Sequence, residues 1–167
     1  PKRVYGSQNK MPKTRMGNAA VMRRALTEAQ DYLRKKESAQ GQSDKQPDFD
    51  LRKEALTAVI KKEIPLRIHC HRADDIVTAI RIGKEFDLCI SLEHCTEGDK
   101  VLESVKNSGF PVTMGPCLTD KSKLEVKDIG FTAPYVLSKA GVTLALITDH
   151  PVLPIQYLRL CAGLAIR

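Results

Sequence analysis

The stretch Pro65-Leu-Arg-Ile-His-Cys-His71 decides the fold, because a short apolar run ends in two histidines and a helical pattern follows at once. The run predicts a strand over Ile64 to His69, and apolar positions three and four apart predict an amphipathic helix over Asp74 to Phe86. The same order recurs along the chain, which indicates parallel α/β units with right-handed crossovers. The other predicted strands are Leu88 to Leu92, Pro111 to Thr113 and Val142 to Ile147, and the other helices are Asp99 to Asn107, Ala133 to Lys139 and one beginning at Pro154.

The strand over Val142 to Ile147 is almost wholly apolar. Such strands are expected where helices cover both faces of a parallel sheet, as in a barrel wrapped by helices. The sequence therefore predicts the α/β class, with parallel strands in a TIM-type (β/α) arrangement.

The first 63 residues do not follow this alternation. A loop comes first, then a helix from Thr14 to about Lys36, a polar linker from Glu37 to Pro47 and a helix from Phe49 to Lys62. Residues 64–167 carry the β/α units. We expect both parts to form a single partial domain.

Most of the positive charge lies in the first 49 residues. The formal net charge is +7, of which residues 1–49 contribute +6 and the remainder +1. This basic part lacks interleaved aromatic residues and a recognisable nucleic-acid motif, so a solvated helix face is favoured over nucleic-acid binding.

The cysteines indicate a reducing compartment. Cys70, Cys89, Cys95, Cys117 and Cys161 form no CxxC pair, which argues for free thiols and against a disulfide framework or a zinc ribbon. No apolar run reaches the roughly 20 residues of a membrane-spanning helix. The start of the sequence also lacks the layout of a signal peptide, so we expect a cytoplasmic protein that does not contact a membrane.

All four histidines fall at the ends of predicted strands: His69, His71, His94 and His150. The carboxyl ends of parallel strands converge on one mouth, where side chains distant in sequence can meet. His69 and His71 would share one face of a strand and could chelate an ion. A single histidine is more often a hydrogen-bonded or solvent-facing residue, but the placement of all four favours a metal site.

Asp149 follows an apolar strand, where a carboxylate is costly unless a cation or several donors compensate its charge. Two interpretations remain open, a metal ligand and a cap on the following helix. Imidazoles with one carboxylate suit zinc or a similar divalent ion, which would activate a water for hydrolysis. An unligated oxygen of Asp149 could take the proton.

Three motifs carry a family resemblance: Pro65-Leu-Arg-Ile-His-Cys-His-Arg-Ala-Asp-Asp-Ile76, Ser91-Leu-Glu-His-Cys-Thr-Glu-Gly98 and Leu146-Ile-Thr-Asp-His-Pro-Val152. Together they resemble the amidohydrolase superfamily, and within it the imidazolonepropionase-related amidohydrolases. The basic N-terminal stretch also resembles the middle of those proteins, so the resemblance covers nearly the whole chain.

The resemblance implies a role for each candidate residue. His69 would be the metal ligand that ends the fifth barrel strand, and His94 the ligand that ends the sixth. Asp149 would end the eighth strand, bind metal and carry the proton as the catalytic residue. The remaining candidates, His71, Arg72 and His150, would line the mouth as substrate-binding groups or groups behind the ligands.

The resemblance also implies parts that this chain lacks, namely a His-x-His pair on a first barrel strand and a small β-rich domain. We therefore expect an internal fragment, roughly the later half of a barrel, with open sheet edges through which copies could pair as a homo-oligomer. One or two metal ions would belong to the intact protein, and the fragment would bind metal weakly or not at all and would not turn over a small-molecule substrate alone.

Two further function classes remain open. A half-barrel could hold a ligand or partner without catalysis, and the basic N-terminal part could bind nucleic acid, although the composition argues against the second.

Overall fold

A computed structural model describes residues 7–166, apart from the side chain of Ser43. Residues 1–6 of the predicted N-terminal loop and residue 167 lie outside the described residues. The chain divides into two compact units. One contains the residues up to Pro65 together with Lys84–Cys89, and the other contains Leu66–Gly83 and the residues from Ile90 onward.

The first unit contains two helices, α1 (Arg15–Ser38) and α2 (Leu51–Ile60). Thr14 caps α1 by accepting a hydrogen bond from the Gly17 amide at 3.0 Å, so the helix begins where the sequence predicted. The Tyr32 hydroxyl of α1 donates to the Glu54 carboxylate of α2 at 2.7 Å. The predicted linker is not wholly irregular, because Ser43–Lys45 forms a short 3₁₀ turn.

The second unit is a four-stranded sheet in which every neighbouring pair of strands is parallel. The strand order follows the chain, β1-β2-β3-β4, and helices connect the strands. This arrangement confirms the predicted fold class. The strands are β1 (Leu66–Cys70), β2 (Ile90–His94), β3 (Val112–Met114) and β4 (Leu144–Leu146), and the helices are α3 (Ala73–Glu85), α4 (Leu102–Ser108), α5 (Thr132–Lys139) and α6 (Leu158–Ala165).

The two faces of the sheet differ in chemistry because side chains alternate along each strand. One face is apolar and contributes the core residues Ile68, Cys70, Ile90, Leu92, Val112 and Met114, which are all buried. Ile76 of α3, Val105 of α4 and Leu137 of α5 are buried with at most 1% of their surface exposed. The other face carries Arg67, His69, Ser91, Glu93 and Thr113. The helices therefore cover one face and leave a polar face for chemistry.

The edge strand β4 is less buried than the sequence predicted. β4 was expected to be covered on both faces, but Leu144 and Leu146 are half-buried and Ala145 is exposed. The reason is that β4 pairs only with β3, and β1 only with β2, within the described residues. Open sheet edges, which the sequence predicted, are therefore present. No described helix has the length and apolar character that a membrane crossing requires.

Gly115 is required where the chain leaves β3. Its φ is +137°, and a Cβ at this position would lie 2.0 Å from the carbonyl oxygen of Ile147. The neighbouring Met114 carbonyl accepts a hydrogen bond from the Ile147 amide at 2.8 Å. This close approach aligns the exits of β3 and β4, and only glycine allows it.

We predict that Gly115→Ala lowers the free energy of unfolding by more than about 3 kcal/mol, because a backbone carbonyl must move and the φ is unfavourable for alanine. Gly130→Ala is the matched control, since a Cβ there meets nothing within 4 Å. Its effect should stay within about 1 kcal/mol. Urea denaturation measures both, and equal values for the two variants would contradict the account of Gly115.

Candidate metal centre

The pairing of β1 with β2 brings three histidines together at the carboxyl ends of the strands. The register places Cys70 opposite His94, so His69, His71 and His94 lie at the same end of the sheet. Their ring centroids are 4.2 to 4.7 Å apart. One ligand nitrogen from each ring lies within 4.8 Å of the others. The predicted convergence of side chains from two strand ends therefore exists for these three residues.

His94 ends β2 with an unusual backbone conformation. Its φ is +69° and that of Cys95 is +43°, so two consecutive residues lie in the left-handed region. This region is uncommon outside glycine, although histidine enters it more often than most residues, and such conformations concentrate at functional sites. The turn ends the strand and leaves His94 8% exposed, with its ring beside the other two imidazoles.

A backbone carbonyl fixes the tautomer of His94. Its Nδ1 lies 2.6 Å from the Gly115 carbonyl oxygen, which can only accept a hydrogen bond. Nδ1 therefore carries a proton, and Nε2 is the nitrogen that can face an ion. A metal-binding histidine commonly has this arrangement, with one nitrogen on the ion and the other held by a carbonyl or carboxylate.

The surroundings of His69 and His71 lower the pKa of both imidazoles and so favour their neutral forms. Burial, followed by the His94 and His69 rings and the Lys123 ammonium, lowers the pKa of His71 to about 3. Burial, His94 and Lys123 also lower the pKa of His69, and the Asp149 and Glu125 carboxylates oppose that shift. Neutral imidazoles have a free lone pair, which is the form that binds a metal.

Within the described residues, the group of side chains that could hold an ion contains three histidines and no cysteine. Cys70 and Cys95 are buried, and burial raises the pKa of Cys70 far above its usual range and that of Cys95 to about 12. All five cysteines are free, as expected. The donor set is thus three imidazoles, which suits zinc and similar divalent ions.

On the polar face of the sheet, a charged pair joins β1 and β2 near the histidines. Arg67 of β1 donates to both carboxylate oxygens of Glu93 on β2, at 3.0 and 2.6 Å. The Ser91 hydroxyl donates to the same carboxylate at 2.6 Å. Glu93 is opposite His69 in the register and precedes His94, so this network joins the two strands next to these two histidines.

The remaining predicted residues lie outside the group of three ligand nitrogens. Asp149 is exposed in the loop after β4 with a φ of +51°, and its carboxylate raises the pKa of His69. Arg72 pairs with Asp74, with Nε and Oδ1 3.1 Å apart. His150 is exposed. Their roles stay predictions.

Sequence reasoning missed the groups that hold the rings. The Gly115 carbonyl is a backbone atom and has no sequence signal. Thr96 lies 2.8 Å from Nδ1 of His71, and only its place in the motif His94-Cys-Thr-Glu-Gly98 could have drawn attention to it. The structure places the His71 ring beside the other two, and the predicted role of His71 as a substrate-binding or supporting group stays a prediction.

Comparison with known proteins gives two matches. No family model matches the sequence. "Amidohydrolase tasK" of Hapsidospora irregularis is 27% identical over 174 residues, which is 97% of this chain and 18% of that protein. The crystal structure of an amidohydrolase from Thermotoga maritima MSB8 matches with a TM-score of 0.93 and 44% identity, covering 100% of this chain and 44% of the other. This chain therefore spans less than half the length of either protein.

We predict that His71→Gln flattens the pH dependence of folding stability. The pKa of His71 is about 3 in the folded chain and near 6.5 when unfolded, so the unfolded state binds more protons between these values. The stability due to this group is present above the unfolded pKa and is lost as the pH falls toward the folded one.

Urea denaturation of the metal-free chain between about pH 8 and pH 4.5 measures this difference. The wild-type slope should exceed that of the variant by up to about 1.4 kcal/mol per pH unit, and by less where solvent screens the half-buried ring. The two proteins should differ least in slope at about pH 8, where the ring is neutral in both states. Identical slopes down to the lowest pH would contradict the assignment.

Proposed function

We propose that this chain, which is similar to part of two longer amidohydrolases, belongs to the amidohydrolase superfamily and contributes the metal centre of a hydrolase that cleaves amide-type C–N bonds, cyclic or linear. The observation that carries the proposal is the convergence of three imidazoles at the carboxyl ends of β1 and β2. A finer placement among the imidazolonepropionase-related amidohydrolases rests on the three sequence motifs.

We propose His69 and His94 as metal ligands, with His71 as a third imidazole in the same group. Asp149 would add a carboxylate from the loop after β4, close enough for its charge to act on His69. Zinc fits this nitrogen and oxygen donor set. When bound, a divalent ion supplies a Lewis acid that polarises the scissile carbonyl and makes a water more acidic.

In the proposed reaction Asp149 moves the proton. Its carboxylate accepts a proton from the attacking water as the water oxygen forms a bond to the carbonyl carbon. The C–N bond then breaks, and Asp149 returns the proton to the leaving nitrogen. The products are a carboxylic acid and an amine. The exposed position of Asp149 leaves it accessible to a substrate at the mouth.

Arg72 and His150 would orient the substrate. Arg72 is half-buried directly after His71, and its guanidinium would attract an anionic group of the substrate. Its hydrogen bond to Asp74 holds the side chain at the start of α3. His150 follows the proposed proton carrier and is exposed to the same loop region.

We further propose that turnover requires the strands that complete the barrel in longer relatives. The chain covers 44% of the Thermotoga maritima amidohydrolase, and its sheet has unpaired edges at β1 and β4 within the described residues. A half-barrel that binds a ligand or partner without catalysis is the alternative, and it predicts that restoring the other strands brings no activity.

A chimera tests the reaction. This chain replaces the matching segment of the Thermotoga maritima amidohydrolase, and hydrolysis of amide substrates of that enzyme is measured with bound zinc quantified by mass spectrometry. We expect the chimera to be active and the isolated chain to be inactive. Asp149→Asn should lower kcat of the chimera by at least about 100-fold, because the proton acceptor is lost.

Asp120→Asn, which changes an exposed aspartate in the loop after β3, is the matched control and should keep kcat within about threefold of the parent chimera. A folded, zinc-loaded chimera without activity would favour the binding-module alternative. Full activity of the Asp149→Asn chimera would contradict the proposed role of Asp149.

A further inference from the structure

The segment Cys95–Gly98 follows β2 directly and forms hydrogen bonds with the backbone of Cys70 and His71. The Cys95 amide donates to the Cys70 carbonyl at 2.9 Å, and the Glu97 amide donates to the His71 carbonyl at 2.8 Å. The Thr96 hydroxyl lies 2.8 Å from Nδ1 of the His71 ring. Main-chain and side-chain contacts thus hold the same histidine.

Glu97 also forms a hydrogen bond with the first turn of α3. Its carboxylate accepts a hydrogen bond from the Ala73 amide at 2.9 Å and another from the Lys100 ammonium at 3.1 Å. Only 5% of Glu97 is exposed, and each of its two carboxylate oxygens accepts one of these hydrogen bonds. The two residues between β1 and α3, His71 and Arg72, are therefore tied at both ends to the segment after β2.

The segment itself has little freedom to move. Cys95 is fully buried, and Thr96 is 6% exposed. A Cβ on Gly98 would lie 2.8 Å from the Cys95 sulfur and 3.0 Å from the Leu137 side chain, so the chain passes too close for a larger residue. A group that fixes the orientation of a metal-binding histidine must itself be held in one position, and this rigid segment meets that requirement.

We propose that Thr96 and Glu97 are positioning residues for His71, Thr96 through the ring nitrogen Nδ1 and Glu97 through the backbone of His71 and Ala73. The inference deepens the proposed function, because it rests on the metal centre and makes His71 a ligand rather than a substrate-binding group.

The direction of the hydrogen bond between Thr96 and His71 decides this role. A hydroxyl can donate or accept, so two tautomers fit the distance. If Thr96 accepts, Nδ1 is protonated and Nε2 keeps the lone pair that an ion needs. If Thr96 donates, Nε2 carries the proton and has no lone pair for an ion. The proposed role requires the first arrangement, in which Nδ1 of His71 is protonated as Nδ1 of His94 is.

Nitrogen-15 NMR of the imidazoles in the metal-free chain, at about pH 8, reads the tautomer directly. We expect the wild-type His71 ring to be protonated on Nδ1. Thr96→Val removes the hydroxyl at nearly constant volume and should shift the ring toward a mixture of tautomers, whereas Thr96→Ser should restore the wild-type spectrum. A wild-type ring protonated on Nε2, or a Thr96→Val spectrum equal to wild type, would overturn the proposal.

Zinc affinity of the same proteins, measured by competition with a chromophoric chelator, tests the link to the metal. Loss of a group that holds a ligand weakens metal binding by about 10-fold to 100-fold, so Thr96→Val and Glu97→Ala should fall in this range while Thr96→Ser stays within about threefold of wild type. Unchanged zinc affinity in folded Thr96→Val and Glu97→Ala would overturn the proposal.

The NMR measurement and the zinc measurement together distinguish a failure of this inference from a failure of the proposed function. If the wild-type chain binds no zinc, the metal centre fails in this chain, and the tautomer of metal-free His71 still decides the role of Thr96. Circular dichroism confirms folding of each variant, and the wild-type tautomer remains decisive if Thr96→Val does not fold.

Discussion

The parallel pairing of β1 with β2 is the constraint on which the site depends. His69 and His94 come from different strands, and only a register that sets Cys70 opposite His94 places both rings at the same end of the sheet. The paired Arg67 and Glu93 side chains join these strands on the polar face, where the carboxylate is 9% exposed. A slip of one residue would turn His69 toward the helices and break this pair.

Burial then gives the clustered histidines their chemistry. Three imidazoles with centroids 4.2 to 4.7 Å apart would repel one another if they were protonated. Partial burial and mutual proximity favour the neutral forms of His69 and His71, and hydrogen bonds from outside the group occupy Nδ1 of His71 and His94. The arrangement costs folding stability at acid pH, and it leaves lone pairs that an ion can use.

Much of this organisation could be predicted from the sequence, because it depends on local patterns. The alternation of apolar strands with amphipathic helices indicated the parallel sheet, and the histidines at strand ends indicated a shared mouth. Thr14 marked the start of α1 through its capping chemistry. The exposure of β4 could not be predicted, because an apolar strand has the same sequence whether or not a neighbour covers it.

The details that hold the site also escaped sequence reasoning. The left-handed φ of His94 and the carbonyl of Gly115 are properties of the backbone, and they arise only when the exits of β2, β3 and β4 pack together. The contact between Thr96 and His71 joins residues 25 positions apart. Tertiary packing creates such contacts, and no periodic pattern in the chain marks them.

X-ray absorption at the zinc edge, recorded on the zinc-loaded chain, tests the central claim that three imidazoles share one ion. The account predicts about three nitrogen ligands at roughly 2.0 to 2.1 Å with the outer-shell signature of imidazole. Sulfur at about 2.3 Å, or a shell of oxygen without imidazole, would contradict it.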